Sequence, residues 1–164
     1  MDIYELYAQA LEQHKAKNYD AALKILDEIH QLDPNYKKAY MLESNVWKAL
    51  HNPFREAVAL GILVEKFDVT LPEERNYMVF VLDRLGNIAM DAGLGRRGLK
   101  SIFFATKFTE KIPNGNFKIL LSNVILKANA VENFSAEEFK SLYAEYEKIL
   151  ADIKPFPRKF YDNE

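Results

Sequence analysis

Apolar residues recur along this chain at three- and four-residue spacing, the period that lays one face of an α-helix against a core. Between Asp2 and about Ala16, Ile3, Leu6, Tyr7, Ala10, Leu11 and His14 share one side. After Lys17–Asn18, Tyr19, Ala22, Leu23, Ile25, Leu26 and Ile29 form a second stripe. Leu32–Asp33–Pro34–Asn35 ends it, because the residue before a proline is pushed out of the helical region. A new helix starts at Lys37–Lys38–Ala39–Tyr40, so one helical hairpin occupies about 34 residues.

Two further hairpins follow. Ala39, Tyr40, Ser44 and Trp47 suit a first helix, and Phe54, Ala57, Val64 and Phe67 a second, with one extra residue near Pro53. The third has a longer first helix beginning near Pro72, and its second helix stops at Pro113–Asn114–Gly115. Beyond it, residues 116–131 read as a helix, and Ser135 followed by Glu138 is a capping-box signal. Phe139, Leu142, Tyr143, Tyr146, Ile149 and Leu150 then follow at helical spacing. The expected organisation is a helical domain over 1–153, with hairpins at about 2–35, 36–69 and 72–112 and a capping hairpin at about 115–153. Residues 154–164, broken at Pro155 and Pro157, form an extended exit segment.

Helices of a hairpin approach closely only where a small side chain sits at the crossing. Ala10, Ser44 and Gly86 on first helices, and Ala22, Ala57 and Gly98 on second helices, are the expected contact points. Tyr19, Trp47 and Phe54 would fill the wedges between hairpins.

Composition narrows the picture. The 164 residues carry a formal charge of −2, with 49% hydrophobic and 28% charged residues, which suits one folded domain or a short repeat array. Six glycines and six prolines fall below the roughly 12% of an average chain, leaving few tight turns. No cysteine is present, which removes disulfides, thiolate nucleophiles and cysteine-ligated zinc. The three histidines, His14, His30 and His51, form no His-x-x-x-His or Glu-x-x-His pair, the spacings that put two metal ligands on one helical face. The longest apolar run, Ala57 to Val64, is eight residues against the roughly 20 of a bilayer span. The start Met1–Asp2–Ile3 lacks a basic signal-peptide head. A cytoplasmic location is expected, with no membrane partner, no nucleic-acid partner and no cofactor or metal.

Candidate chemistry is sparse. Gly93–Leu94–Gly95–Arg96–Arg97–Gly98 matches the dinucleotide-binding pattern, but that pattern should follow a β-strand. Here a helical stretch, Tyr77 to Asp91, leads into it, so a Gly-rich turn between helices is expected. Asn133–Phe134–Ser135 is a sequon in form and a helix cap in context. Glu73–Glu74 and Glu137–Glu138 sit at helix starts, where carboxylates favour the positive end of the dipole. No Ser, His and Asp are linked by a local signature of nucleophilic catalysis, so the chain itself is expected to be non-catalytic.

Ala10–Leu11, His14, Tyr19, Ala22 and Leu32–Asp33–Pro34 fall in the order and spacing of a tetratricopeptide repeat, which the chain therefore resembles. That resemblance implies an all-α fold, a right-handed superhelix of helical hairpins, with a concave face lined by first helices. In the repeat register the face carries Tyr7, Leu11 and His14, then Met41, Asn45 and Lys48, then Asp83, Asn87 and Met90, and would take a protein or peptide partner. Ser44–Asn45, Gly86–Asn87 and Ser122–Asn123 each place a small residue before an asparagine inside a first helix. Interior asparagine costs helix propensity and asks for a hydrogen-bond partner, either an extended peptide or a neighbouring helix. Tyr7 and Leu11 stand where a chaperone-tail clamp would need Lys and Asn.

Leu121–Ser122–Asn123–Val124–Ile125–Leu126, Phe134 to Phe139, Tyr146 and Pro155–Phe156–Pro157–Arg158 resemble the stretch joining repeats to catalytic domain in bacterial SPINDLY-type relatives of O-linked N-acetylglucosamine transferase. The resemblance implies an acceptor-binding or scaffolding domain whose nucleotide-sugar site lies beyond Glu164, so that the partners include its own C-terminal catalytic domain. Ala8, Leu42 and Arg84 occupy the places of that family's asparagine ladder, and Asn45 and Asn87 form a different row. The alternative is a stand-alone adaptor or chaperone. Phe103, Phe104 and Phe108 offer either a homodimer contact or, more commonly for such a stripe, helix-facing core.

Overall fold

The computed structural model describes residues 1–68, 71–93 and 95–110, together with 135, 137–138, 140–141, 144 and 148. Six α-helices account for most of them: α1 Ile3–Lys15, α2 Tyr19–Leu32, α3 Lys37–Ala49, α4 Pro53–Lys66, α5 Pro72–Asp91 and α6 Gly95–Glu110. The fold is all-α, and the described residues contain no strand. The chain divides into two units, Met1–Lys66 and Phe67–Glu164.

Local chemistry sets the helix ends. The Asp2 carboxylate accepts from the Tyr4 N–H at 2.7 Å and caps α1. Asn52 accepts from the Arg55 N–H at 3.1 Å, ahead of a proline at the first position of α4, which satisfies donors that a helix start leaves open. Asp33 leaves α2 in extended geometry, and its carboxylate takes the Asn35 N–H at 2.9 Å, so the Leu32–Pro34 stop works as expected.

The turns inside the hairpins repeat one design. Lys17 and His51, 34 positions apart, both adopt left-handed backbone with φ of 62° and 55°. Around Lys17, the Asn18 N–H reaches the Gln13 carbonyl and the Lys17 N–H reaches the His14 carbonyl. Around His51, Asn52 and His51 reach Trp47 and Lys48 in the same way. These are Schellman motifs, which close the orphan carbonyls of a helix C-terminus. In the second unit Gly93, with φ of 81°, donates to the Met90 carbonyl at the end of α5.

In the first unit α1 packs on α2, α2 on α3 and α3 on α4, and α1 also touches α3. Leu6, Ala10, Ala22, Leu26, Ile29, Ala39, Leu42 and Val46 form its main core, and α4 adds Ala59, Leu60 and Leu63. Each fully buried leucine or isoleucine stabilises by about 1.5–3 kcal/mol. Ala10, Ala22 and Ser44 are wholly enclosed, as the crossing rule expects. The Ser44 hydroxyl donates to the Met41 carbonyl at 2.6 Å, so its polar atom is satisfied inside the helix.

Two expectations fail on α4. Ala57 is only half-buried, and Phe54 is 77% exposed rather than wedged between hairpins. Burial of Ala59, Leu60 and Leu63 sets the rotation of this helix. Nine residues, two and a half turns, separate Phe54 from buried Leu63, so the two side chains project from opposite faces.

In the second unit α5 packs on α6. Met78, Val81, Leu82, Leu99, Ile102 and Ala105 are buried, and Gly86 and Gly98 are enclosed where the helices cross. The Glu138 N–H donates to the Ser135 hydroxyl at 3.1 Å, the cap that the sequence pattern predicts. The expected helix over 116–131, the exit segment 154–164 and the side chains of Phe103, Phe104 and Phe108 lie outside the described residues.

Candidate functional site

Contact between α1 and α3 makes neighbours of the two first helices in the first unit. Tyr7, Leu11, His14, Met41 and Asn45 are half-buried on them, and Lys48 is exposed. Tyr7 and Leu11 also pack against the main core, so substitution there disturbs the scaffold as well as the surface. The His14 ring lies 6.0 Å from that of Tyr19, which joins α1 to the start of α2. The hydroxyl of Ser44 approaches the Met41 sulfur at 3.8 Å in addition to its carbonyl bond.

An aromatic cluster adjoins this set and escaped sequence reasoning. The Tyr36 ring meets Tyr7 edge-on at 5.8 Å and Tyr4 at 6.2 Å, geometry that aligns ring edge with ring face. Tyr36 is the residue before α3, so the three tyrosines join the first turns of two first helices. Burial, then the neighbouring Tyr7, Tyr4 and Asp2, push the Tyr36 phenol above its ordinary value near 10. Tyr4 itself is 72% exposed. The spacing of Tyr4 and Tyr7 was a signal, but nothing local pointed to Tyr36.

His30 forms a second polar group between α2 and α3. Its Nε2 stands 2.9 Å from the Glu43 carboxylate, and its ring stacks on Tyr40 at 4.1 Å. The Tyr40 hydroxyl donates to the Pro34 carbonyl at 2.8 Å. Burial, then the carboxylates of Glu43 and Asp33, raise the Tyr40 phenol above its ordinary value. A carboxylate orienting an imidazole is a familiar device of general bases. Here the other nitrogen, Nδ1, is buried with no hydrogen-bond partner among the described residues, and the ring's own partners, Glu43 and Tyr40, both lie on α3. The cluster therefore fastens one hairpin to the next.

The remaining candidates belong to the second unit. The Asn87 amide donates to the Asp83 carbonyl at 2.9 Å and approaches the Asp83 carboxylate at 3.3 Å. An asparagine inside a helix has thus found partners four residues back on its own helix. Asp83, Asn87 and Met90 are all half-buried, and Met90 also lies against Gly98. Of the Gly93–Gly98 pattern, Gly93 belongs to the turn after α5 and Gly95 to Gly98 form the first turn of α6, so a helix and not a β-strand precedes it.

A depression of about 450 Å³ opens at the α1–α2 turn, lined by Lys17, Asn18, Tyr19, Asp20, Ala21 and Leu50. Among the described residues no His, Asp and Glu side chains gather into a group fit for a metal ion. No described helix is long and apolar enough to cross a membrane. No family model matches the chain, and no curated protein matches it.

Proposed function

We propose that this chain is a non-catalytic protein-binding domain of tetratricopeptide-repeat type, in which adjacent first helices present a side-chain set to a partner peptide. The observation that carries the reading is the 34-residue recurrence of the Schellman turn at Lys17 and His51, with α1 touching α3. Stacked hairpins of one period align their first helices, and aligned helices offer a continuous face. On that face the tyrosines Tyr4, Tyr7 and Tyr36 supply rigid contact area at low entropic cost, and Asn45 and Lys48 supply polar selectivity.

The test is a peptide-display selection against the full chain, repeated with Tyr4→Ser and Lys48→Glu, two substitutions at exposed positions. Enriched sequences that bind the parent and lose about tenfold or more in affinity to both variants support the reading. Sequences that bind parent and variants equally overturn this choice of face.

The narrower proposal is an acceptor-presenting domain of a SPINDLY-like glycosyltransferase in the cytoplasm. It rests on Leu121 to Arg158, and its test is the size of the native protein on a blot of source lysate. A band several-fold above 19.0 kDa supports a following catalytic domain and directs the next assay to nucleotide-sugar turnover. A band at 19.0 kDa leaves a stand-alone adaptor.

A further inference from the structure

Helix α4 keeps two faces of different character. Ala59, Leu60 and Leu63 are buried, whereas Phe54, Val58 and Ile62, on the far side, are 77%, 48% and 37% exposed. Gly61 lies beside this stripe, and a Cβ added to it would meet nothing within 4 Å. Exposed Arg55 and Glu65 bound the same face at opposite ends. At about 100° per residue, Gly61, Phe54, Glu65, Val58, Ile62 and Arg55 fall within an arc of roughly 120°. The Arg55 guanidinium sits over the Trp47 ring at 5.1 Å, which holds the cation at the rim of the patch.

A mid-helix glycine costs stability relative to alanine unless a close approach uses it. In this chain glycine does serve that purpose elsewhere, where α5 and α6 cross through Gly86 and Gly98. Gly61 offers the same absence of side chain on an apolar stripe. The charges say which helix fits. Residue 60 is the midpoint between Arg55 and Glu65, and also between Val58 and Ile62. A two-fold axis opposite residue 60 would therefore set Arg55 on the second copy's Glu65, and Val58 on its Ile62, with each contact made twice. Parallel pairing would bring like charges together instead.

We propose that the outer face of α4 is an isologous interface, covered by the antiparallel α4 of a second copy of this chain. Aliphatic Val58 and Ile62 at its centre, with an aromatic ring, an arginine and a carboxylate toward its ends, give it the composition of a protein interface.

Light scattering coupled to size exclusion, run on the full chain over a wide concentration range, tests this. The expected result is a species of twice 19.0 kDa whose population grows with concentration. Val58→Glu should leave the 19.0 kDa form with unchanged helix content by circular dichroism. Arg55→Glu and Glu65→Arg each set like charges opposite one another and should raise the dissociation constant about tenfold or more. The double variant restores opposite charges and should recover pairing, a result that a merely misfolded single variant would not give. A 19.0 kDa species at every concentration, or a dimer indifferent to the charge exchange, overturns the proposal.

Discussion

Gly86 and Gly98 lie so close across the α5–α6 crossing that a Cβ on Gly86 would stand 2.6 Å from the Gly98 carbonyl oxygen. It would also collide with the Ile102 side chain, and a Cβ on Gly98 with the Gly86 carbonyl and Met90. Elsewhere in a helix, replacing glycine by alanine gains about 0.5–1 kcal/mol. Here the obstacle is backbone, which cannot rotate away. Gly98→Ala should destabilise by about 1–3 kcal/mol as the helices are forced apart, measured by urea unfolding. Gly61→Ala, facing open space, should instead raise stability by up to about 1 kcal/mol when measured on dilute chain. Equal responses at the two sites would contradict the crossing.

Left-handed backbone at Lys17 and His51 strains two L-residues at the hairpin turns. Lys17→Gly removes a Cβ penalty of roughly 1–2 kcal/mol and adds the entropic cost of glycine, so a net gain of a few tenths to about 1 kcal/mol is expected. Lys17→Val should go the other way, because a β-branched side chain tolerates this region worst. The melting temperatures of the two variants should therefore bracket that of the parent. The reverse order would mean that the turn is not a Schellman motif.

Helix boundaries and crossings were the most legible features of the sequence, because each depends on a few adjacent residues. Asp33–Pro34 stops α2 by local sterics, and Ala10, Ala22, Gly86 and Gly98 stand at crossings that admit only small side chains. Phe54 was misplaced because α4 carries two apolar stripes, Phe54, Val58 and Ile62 against Ala59, Leu60 and Leu63, and periodicity alone does not say which of them meets the core. The partner of Asn87 was legible as a need but not as an identity, since its own helix competes with any ligand for the amide. Tyr36 and the His30–Glu43 pair went unseen because their partners come from other helices. Thirteen residues separate His30 from Glu43, and only the packing of α2 on α3 brings them together.

Ala22 is fully buried among Leu6, Ala10 and Leu26. Ala22→Leu adds three carbons to a core without room for them and should cost about 1–3 kcal/mol through displaced rotamers and helix shifts. Leu26→Ala, the opposite change in the same cluster, should cost about 2–5 kcal/mol through lost contacts and a cavity. The two substitutions cannot be assumed additive, since both act on one packed group. An unchanged melting temperature for Ala22→Leu would place that side chain outside the crossing.

Tyr40 links a hydrogen bond to a pH effect whose sign follows from its raised pKa. Below the unfolded value near 10, both states hold the phenolic proton and its interactions count in full. As pH rises from there through the higher folded value, the folded state binds more protons than the unfolded, so stability falls. Tyr36, raised by burial beside Tyr7, contributes in the same direction. Tyr40→Phe should cost about 0.5–1.5 kcal/mol at neutral pH by deleting the bond to the Pro34 carbonyl, and it leaves Tyr36 as the other of these two raised phenols. Urea unfolding near neutrality and at about pH 11 should then show a smaller alkaline loss in Tyr40→Phe than in the parent. An equal loss in both would show that the Tyr40 phenol titrates alike in the folded and unfolded chain.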